Sequence, residues 1–283
     1  MNANVVPLKV DNMNLADAMG FSAAATASSK ATSDLYRIST AVIQEVEGKK
    51  VVDSPVFKLR QGDEEFLARS LDVRFFAERQ RWQKWDSISN SFLRTVMSTN
   101  LNMDLKDVLG GFNLGRPTGY IKDFKALPAD QQDLIRSVSR VKVLMGMARV
   151  NGAFIEGGDE VDTFDGIEVP FVYDVKNRES MQAIDGTIAK LMNKRLSPVE
   201  NLITLTGSGR SMPSGTKFAV VESDLGETVG FADGDNDVLQ NFLSYIENNN
   251  QYILNKWEEN NVERISAEDS AIVGSIVDVQ DFE

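Results

Sequence analysis

The 283-residue chain contains no cysteine and no histidine. The missing cysteine excludes disulfides, and the two absences together remove every thiolate and imidazole metal ligand. A bound metal would have to be a hard cation held by oxygens. Without histidine the most common general base is gone, and so is every Ser-His or Cys-His nucleophile arrangement. Carboxylate and lysine chemistry remain open. Long hydrophobic runs are lacking too, none approaching a bilayer crossing, so no membrane partner is expected. The opening MNANVVPLKVDNMNLADAMGF carries acidic residues and lacks the charged-then-apolar order of a secretory signal, which makes a cytoplasmic location the expectation. No phosphate loop, dinucleotide fingerprint or calcium loop is complete, and no cofactor is expected.

What is present is ordinary for a globular protein: 42% apolar and 25% charged residues, enough for one large core or two modest ones. Residues 1–35, rich in Ala, Ser and Thr, read as a flexible leader with room for a short helix at Asn14 to Met19. From Leu35 the segments LYRISTAVI, VFKLR and LDVRFF have the alternation and β-branching of strands. Residues 71–98 read as a long hairpin, with a helix over 75–85 as the competing reading because Phe75, Arg79 and Trp82 also stand at helical spacing. The segment around Gly110, Gly111, Gly115, Pro117 and Gly119 is a shaped loop. A helix is predicted over 129–139, followed by strands in VKVLMGMARV and IEVPFVYDV that flank an acidic hairpin loop, Glu156 to Glu168. Asn177 is placed to cap a helix over 177–193, strands follow in NLITLTGSG and TKFAVVES, and a last helix covers 236–257. Residues 36–260 therefore read as a single β-rich domain with helical additions, and 261–283 as an acidic, disordered tail.

The net charge of −12 argues against a nucleic-acid partner, but its distribution is segregated. Between Arg74 and Arg149 stand thirteen Lys and Arg against seven Asp and Glu, whereas Trp257 to Glu283 holds eight acids and the single Arg264. The basic tract opens with RFFAERQRWQKW, residues 74–85, which places four aromatic rings and four cations within twelve positions. Strict strand alternation puts Arg74, Phe76, Glu78, Gln80, Trp82 and Lys84 on one face and Phe75, Ala77, Arg79, Arg81, Gln83 and Trp85 on the other. Neither face is apolar. Burying an unpaired cation costs several kcal/mol and burying a ring returns about 1.5–3 kcal/mol, so some rings are expected on a positive surface.

Exposed rings among cations suit single-stranded nucleic acid, since bases stack on flat rings while cations track the phosphates. The candidate stacking platforms are Phe75, Phe76, Trp82, Trp85 and Tyr120. The candidate phosphate contacts are Arg74, Arg79, Arg81, Lys84, Arg94, Arg116, Lys122 and Lys125. At the extreme C-terminus, SIVDVQDFE combines Asp278, Asp281 and Glu283 with one aromatic, Phe282.

A basic-aromatic strand segment coupled to an acidic end resembles the single-stranded DNA-binding proteins of bacteria and their phages. The resemblance covers roughly residues 50–150 and the final dozen, and lies in organisation, without a fingerprint motif. It implies an α+β, β-rich fold with an oligonucleotide-binding (OB-like) barrel core. It also implies an acidic tail that recruits replication or recombination proteins and competes with DNA for the basic groove. This chain ends Asp-Phe-Glu where many members finish on the aromatic. Residues 176–257 exceed a minimal barrel, and would form a layer for partner binding or for a homo-oligomer. No catalytic residue is expected. Two other classes stay open: a virion or other structural protein whose ends are interaction arms, and a carboxylate nuclease built on Asp104, Asp107 and Asp123.

Overall fold

The computed structural model describes the backbone of residues 35–47 and 50–277, and the side chains of 35–46 and 50–261. The expected leader and its short helix lie outside the described residues, as do Asp278, Asp281, Phe282 and Glu283. The fold is α+β, with nine strands in one mixed sheet and three α-helices among the described residues. None of these helices is long and apolar enough to cross a membrane.

Strands β1 (Tyr36–Glu47), β2 (Lys50–Gln61) and β3 (Glu64–Ala68) form an antiparallel meander; β4 (Ser70–Asp86) is the longest strand and turns back into the short β5 (Ser91–Arg94). The residues 71–98 thus do form a hairpin, and the helical alternative over 75–85 is excluded. After a long loop, α1 (Ala129–Ser137) leads into β6 (Val138–Asn151) and β7 (Val169–Val175). Then come α2 (Arg178–Asn193), β8 (Asn201–Ser211), β9 (Lys217–Thr228) and α3 (Asp235–Val277). The sheet order is β3-β2-β1-β7-β6-β4-β8-β9, with β5 on the far end of β4. Among the described residues only β1 and β7 pair in parallel, over Tyr36 to Ile38.

Two expectations are corrected. The sheet is not closed, so an OB-type barrel is not formed: the two edge hairpins fold toward each other, with Gly207 of β8 against Pro55 of β2 and Lys217 paired with Asp53, but no ladder joins them. The acidic tail expected from residue 261 is helical through Val277, because α3 runs on well past Trp257.

The two faces of the sheet carry separate cores. On one, Leu71, Val73, Phe75, Leu144, Phe171 and Ile203 pack against Met181, Ile184 and Leu191 of α2. These three stand at the spacing of one helical stripe, and Asn177 caps the helix by accepting from the amides of Glu179 (2.8 Å) and Ser180 (3.2 Å). On the other face, Phe76, Val141, Val143, Met145 and Val172 pack against Phe242, Tyr245 and Ile246 of α3. Leu243, next to Phe242 on α3, is exposed and stands outside this core.

A bulge in β4 decides which residues enter which core. Register with β6 shifts between Phe75 and Ala77, so Phe76 and Ala77 both face α3 and the alternation inverts beyond them. Opposite the bulge stands Gly146, where an added Cβ would lie 2.0 Å from the Arg74 carbonyl oxygen and 3.2 Å from the Phe171 ring. Gly146→Ala is therefore expected to cost at least about 3 kcal/mol in urea denaturation, by overpacking against backbone. Gly186, inside α2 with nothing within 4 Å of an added Cβ, is the contrast: Gly186→Ala should stabilise by about 0.5–1 kcal/mol.

Candidate nucleic-acid interface

The inverted alternation re-sorts the twelve residues that open the basic tract. Arg74, Phe76, Arg79, Arg81 and Trp85 share the α3 side of the sheet, while Phe75, Glu78, Gln80, Trp82 and Lys84 share the α2 side. Four of the predicted contacts are interior and cannot meet a ligand. Phe75 packs edge-on to Phe171, and Phe76 packs against Phe242. Arg74 is 4% exposed and donates to Glu168, to Asp235 (2.6 Å) and to the Val199 carbonyl (3.1 Å). Arg81 is 2% exposed and pairs with Asp174 of β7.

Charge segregated along the chain is thus partly cancelled in space. Arg74, Arg81, Lys142 and Arg149 all find carboxylates from beyond the basic tract: Glu168, Asp235, Asp174, Asp185 and Glu227. The acidic loop of residues 156–168 is the β6–β7 hairpin connection, and its last residue, Glu168, bridges Arg74 and Arg149.

On the α3 side, the end of β4 and β5 presents Trp85 and Phe92, 48% and 39% exposed, edge to face with centroids 4.8 Å apart. The Lys176 ammonium sits 4.3 Å from the Phe92 ring centre. Arg94 is β5's partner to Gln83 and makes no ion pair among the described residues; its buried Nε has no hydrogen-bond acceptor. Burial pushes the Arg94 guanidinium below its ordinary pKa, and the nearby charges of Arg81 and Arg37 push the same way against the pull of Asp174. Lys176 is lowered for the same reasons, burial first, with Arg94 and Arg81 adding to it against the pull of Asp174. Arg79, half-buried nearby in sequence, donates to the Glu78 carbonyl.

The α2 side differs. Trp82 is half-buried, with the Arg116 guanidinium 4.6 Å from its ring centre, so a ring and a cation predicted to serve a ligand serve each other. Arg116 also donates to the Ile135 carbonyl (3.2 Å), and burial lowers its pKa. A recess of about 310 Å³ beside Trp82 is lined by Gln80, Arg140 and Gly119. Lys84 faces this side, and the adjoining loop carries Tyr120, 91% exposed, with exposed Lys122 and Lys125.

The three acids of the nuclease alternative are engaged in loop structure. Asp107, 1% exposed, accepts from the amides of Leu109, Gly111 and Leu114. Asp104 accepts from Thr118 and Asn113, and Asp123 caps a short turn by accepting from Ala126 (3.2 Å). Among the described residues no group of three or more acids is placed to hold a metal ion. The glycine loop is docked on α3: Trp257 Nε1 donates to the Gly111 carbonyl, Asn260 to Val108 and Asn261 to Gly110. Gly110 has φ +79° and would strike Asn260 if it carried a Cβ.

Sequence reasoning missed Phe92, Lys176 and Arg37. They lie outside the dense tract, and only the β4–β5 pairing and the β1–β7 contact bring them to Trp85 and Arg94. Comparison with protein-family models, curated proteins and solved structures yields no match to this chain, so the site is read from its own residues.

The Arg74 network generates a pH dependence. Burial works to raise the Asp235 carboxyl, but hydrogen bonds from Arg74 and the Ala232 amide outweigh it and hold its pKa below the ordinary value. Its contribution is present above the unfolded carboxylate pKa and is lost as pH falls through the lower, folded one. Stability in urea should therefore drop below about pH 4, less steeply in Asp235→Asn. Arg74→Met, which leaves the buried Asp235 carboxylate without a cation, should cost about 3–5 kcal/mol at pH 7.

Proposed function

We propose that the protein binds single-stranded DNA without sequence preference and without chemistry on it. Bases stack at Trp85 and Phe92, and phosphates are held by Arg94, Lys176 and Arg37. The observation that carries this reading is the exposed Trp85–Phe92 pair on a surface where Arg37, Arg94 and Lys176 make no ion pair among the described residues and Asp174 is the one acid nearby. Stacking is worth about 1–3 kcal/mol per base and needs no base-specific hydrogen bond, which suits a sequence-tolerant binder. Tyr120, Lys122 and Lys125 supply a second, looser contact on the opposite side of β4, and Trp82 contributes least because Arg116 already covers it.

The resemblance to single-stranded DNA-binding proteins is kept here as one of organisation. An open, curled sheet takes the place of a closed barrel. The acidic end, with Asp278, Asp281, Phe282 and Glu283, would compete for the same cations and recruit replication or recombination proteins.

Titration of the full chain with oligo-dT, followed by tryptophan fluorescence, tests the proposal. Quenching should vanish in Trp85→Ala and persist in Trp82→Ala, with Trp85→Ala weakening binding about tenfold or more. The logarithm of affinity should fall linearly with that of salt, by about 0.7 per phosphate neutralised. Deletion of residues 278–283 should tighten binding. No binding at low salt, even after that deletion, would sink the idea, and large assemblies formed without nucleic acid would favour a structural protein.

A further inference from the structure

β1 and β7 pair only from Tyr36 to Ile38 and then part, and β9 does not fill the gap. The result is a cavity of about 670 Å³ walled by β1, β7 and the β8–β9 turn. Arg37, Arg94, Lys176 and Lys217 reach it, against one acid, Asp174. That acid is engaged by Arg81, and Lys217 is held by Asp53. Arg37, Arg94 and Lys176 thus make no ion pair among the described residues, although Asp174 attracts Arg94 and Lys176; the buried Nε atoms of Arg94 and Arg81 lack an acceptor there, and Asp174 Oδ1 lacks a donor. Asn177, at the N-cap of the 16-residue α2, also lines the cavity, so the positive end of a helix dipole lies beside it.

Folding alone gives no reason to gather like charges in a half-desolvated space. Burial lowers the pKa of Arg94 and of Lys176, and the neighbouring cations add to that effect against the pull of Asp174. An anion with several oxygens resolves the conflict by accepting from the guanidinium forks and offsetting the repulsion.

We propose that the cavity between β1 and β7 is a phosphate-binding site, with Arg94 and Lys176 as its inner ligands and Arg37 at its mouth. Arg94 and Lys176 also border Phe92, so the site adjoins the aromatic pair. It is the point where the backbone of a stacked strand enters the protein. That choice of strand as the phosphate's source rests on the function proposed above; the anion site itself does not.

Calorimetric titration of the full chain with inorganic pyrophosphate separates the two. Saturable binding to one site is expected, weakened tenfold or more by Arg94→Gln and several-fold by Arg37→Gln or Lys176→Gln. Arg140→Gln, an exposed cation on the other face, should leave it unchanged. A merely structural Arg94 would lower the Tm when replaced. A ligand-binding one, opposed by its neighbours, should leave the Tm in phosphate-free buffer unchanged or raised while abolishing its increase with pyrophosphate. If Arg94→Gln fails to fold, the exposed Arg37→Gln decides. No saturable binding by the wild type, or binding indifferent to Arg94→Gln and Arg37→Gln, overturns the site. Pyrophosphate binding without oligo-dT binding keeps the site and removes the strand. Oligo-dT binding that Arg94→Gln and Lys176→Gln leave intact removes the site and keeps the strand.

Discussion

The carbonyl oxygen of Arg74 occupies the space that a side chain at position 146 would need, and the bulge at Phe76 exists because Gly146 leaves that space empty. The two-sided burial of β4 depends on this one contact. Before the bulge, Leu71, Val73 and Phe75 feed the core under α2; after it, Ala77, Arg79 and Arg81 turn to α3. A single unpaired residue hands the two halves of one strand to two different cores, and it sends Trp85 rather than Trp82 to the α3 side.

The bulge also brings Arg81 to the side on which Arg74 stands. Arg74 lands on the α3 side, where Asp235 at the start of that helix and Glu168 at the entrance to β7 meet it. Arg81 finds Asp174, and Lys142 finds Glu78 and Asp185 on the other face. These pairs neutralise the interior, as the cost of an unpaired buried ion requires. They leave Arg37, Arg94 and Lys176 as a cationic group that makes no ion pair among the described residues, beside the exposed ring pair, with Asp174 already bound to Arg81. The net charge of the protein is negative, yet at this place the local balance is positive.

Much of the fold was legible in the sequence. Alternation marked the strands from 35–43, 56–60, 141–150, 167–175, 201–209 and 216–223, and the stripe and Asn177 cap marked α2, because these signals are local. The two-sided burial of β4 was not legible by strict alternation, since a bulge breaks the period of two on which that reading stands. Gly146, an isolated glycine inside an apolar strand pattern, was the available sign of it. Barrel closure failed as an expectation because it depends on how far a sheet curls, which no local pattern encodes. Helicity past residue 261 was missed because acidic, weakly striped residues carry little amphipathic signal. Of the candidate site, Trp85 and Arg94 stand among the residues singled out in the sequence and Phe92, Lys176 and Arg37 do not, because pairing between distant strands brings these three beside them. Arg74, Phe75, Phe76 and Arg81 were assigned to a surface because composition shows charge and rings but not the acids and cores that receive them.

The central claim is that nucleic acid meets the protein at the α3-side surface that the bulge creates. Photocrosslinking with an oligonucleotide carrying 5-iodouracil, followed by mass-spectrometric mapping of the attached peptides, tests it most directly. The account predicts adducts at Trp85 and Phe92, lost when excess unlabelled oligo-dT competes. Adducts confined to Trp82 or Tyr120, with Trp85 and Phe92 unmodified, would contradict it.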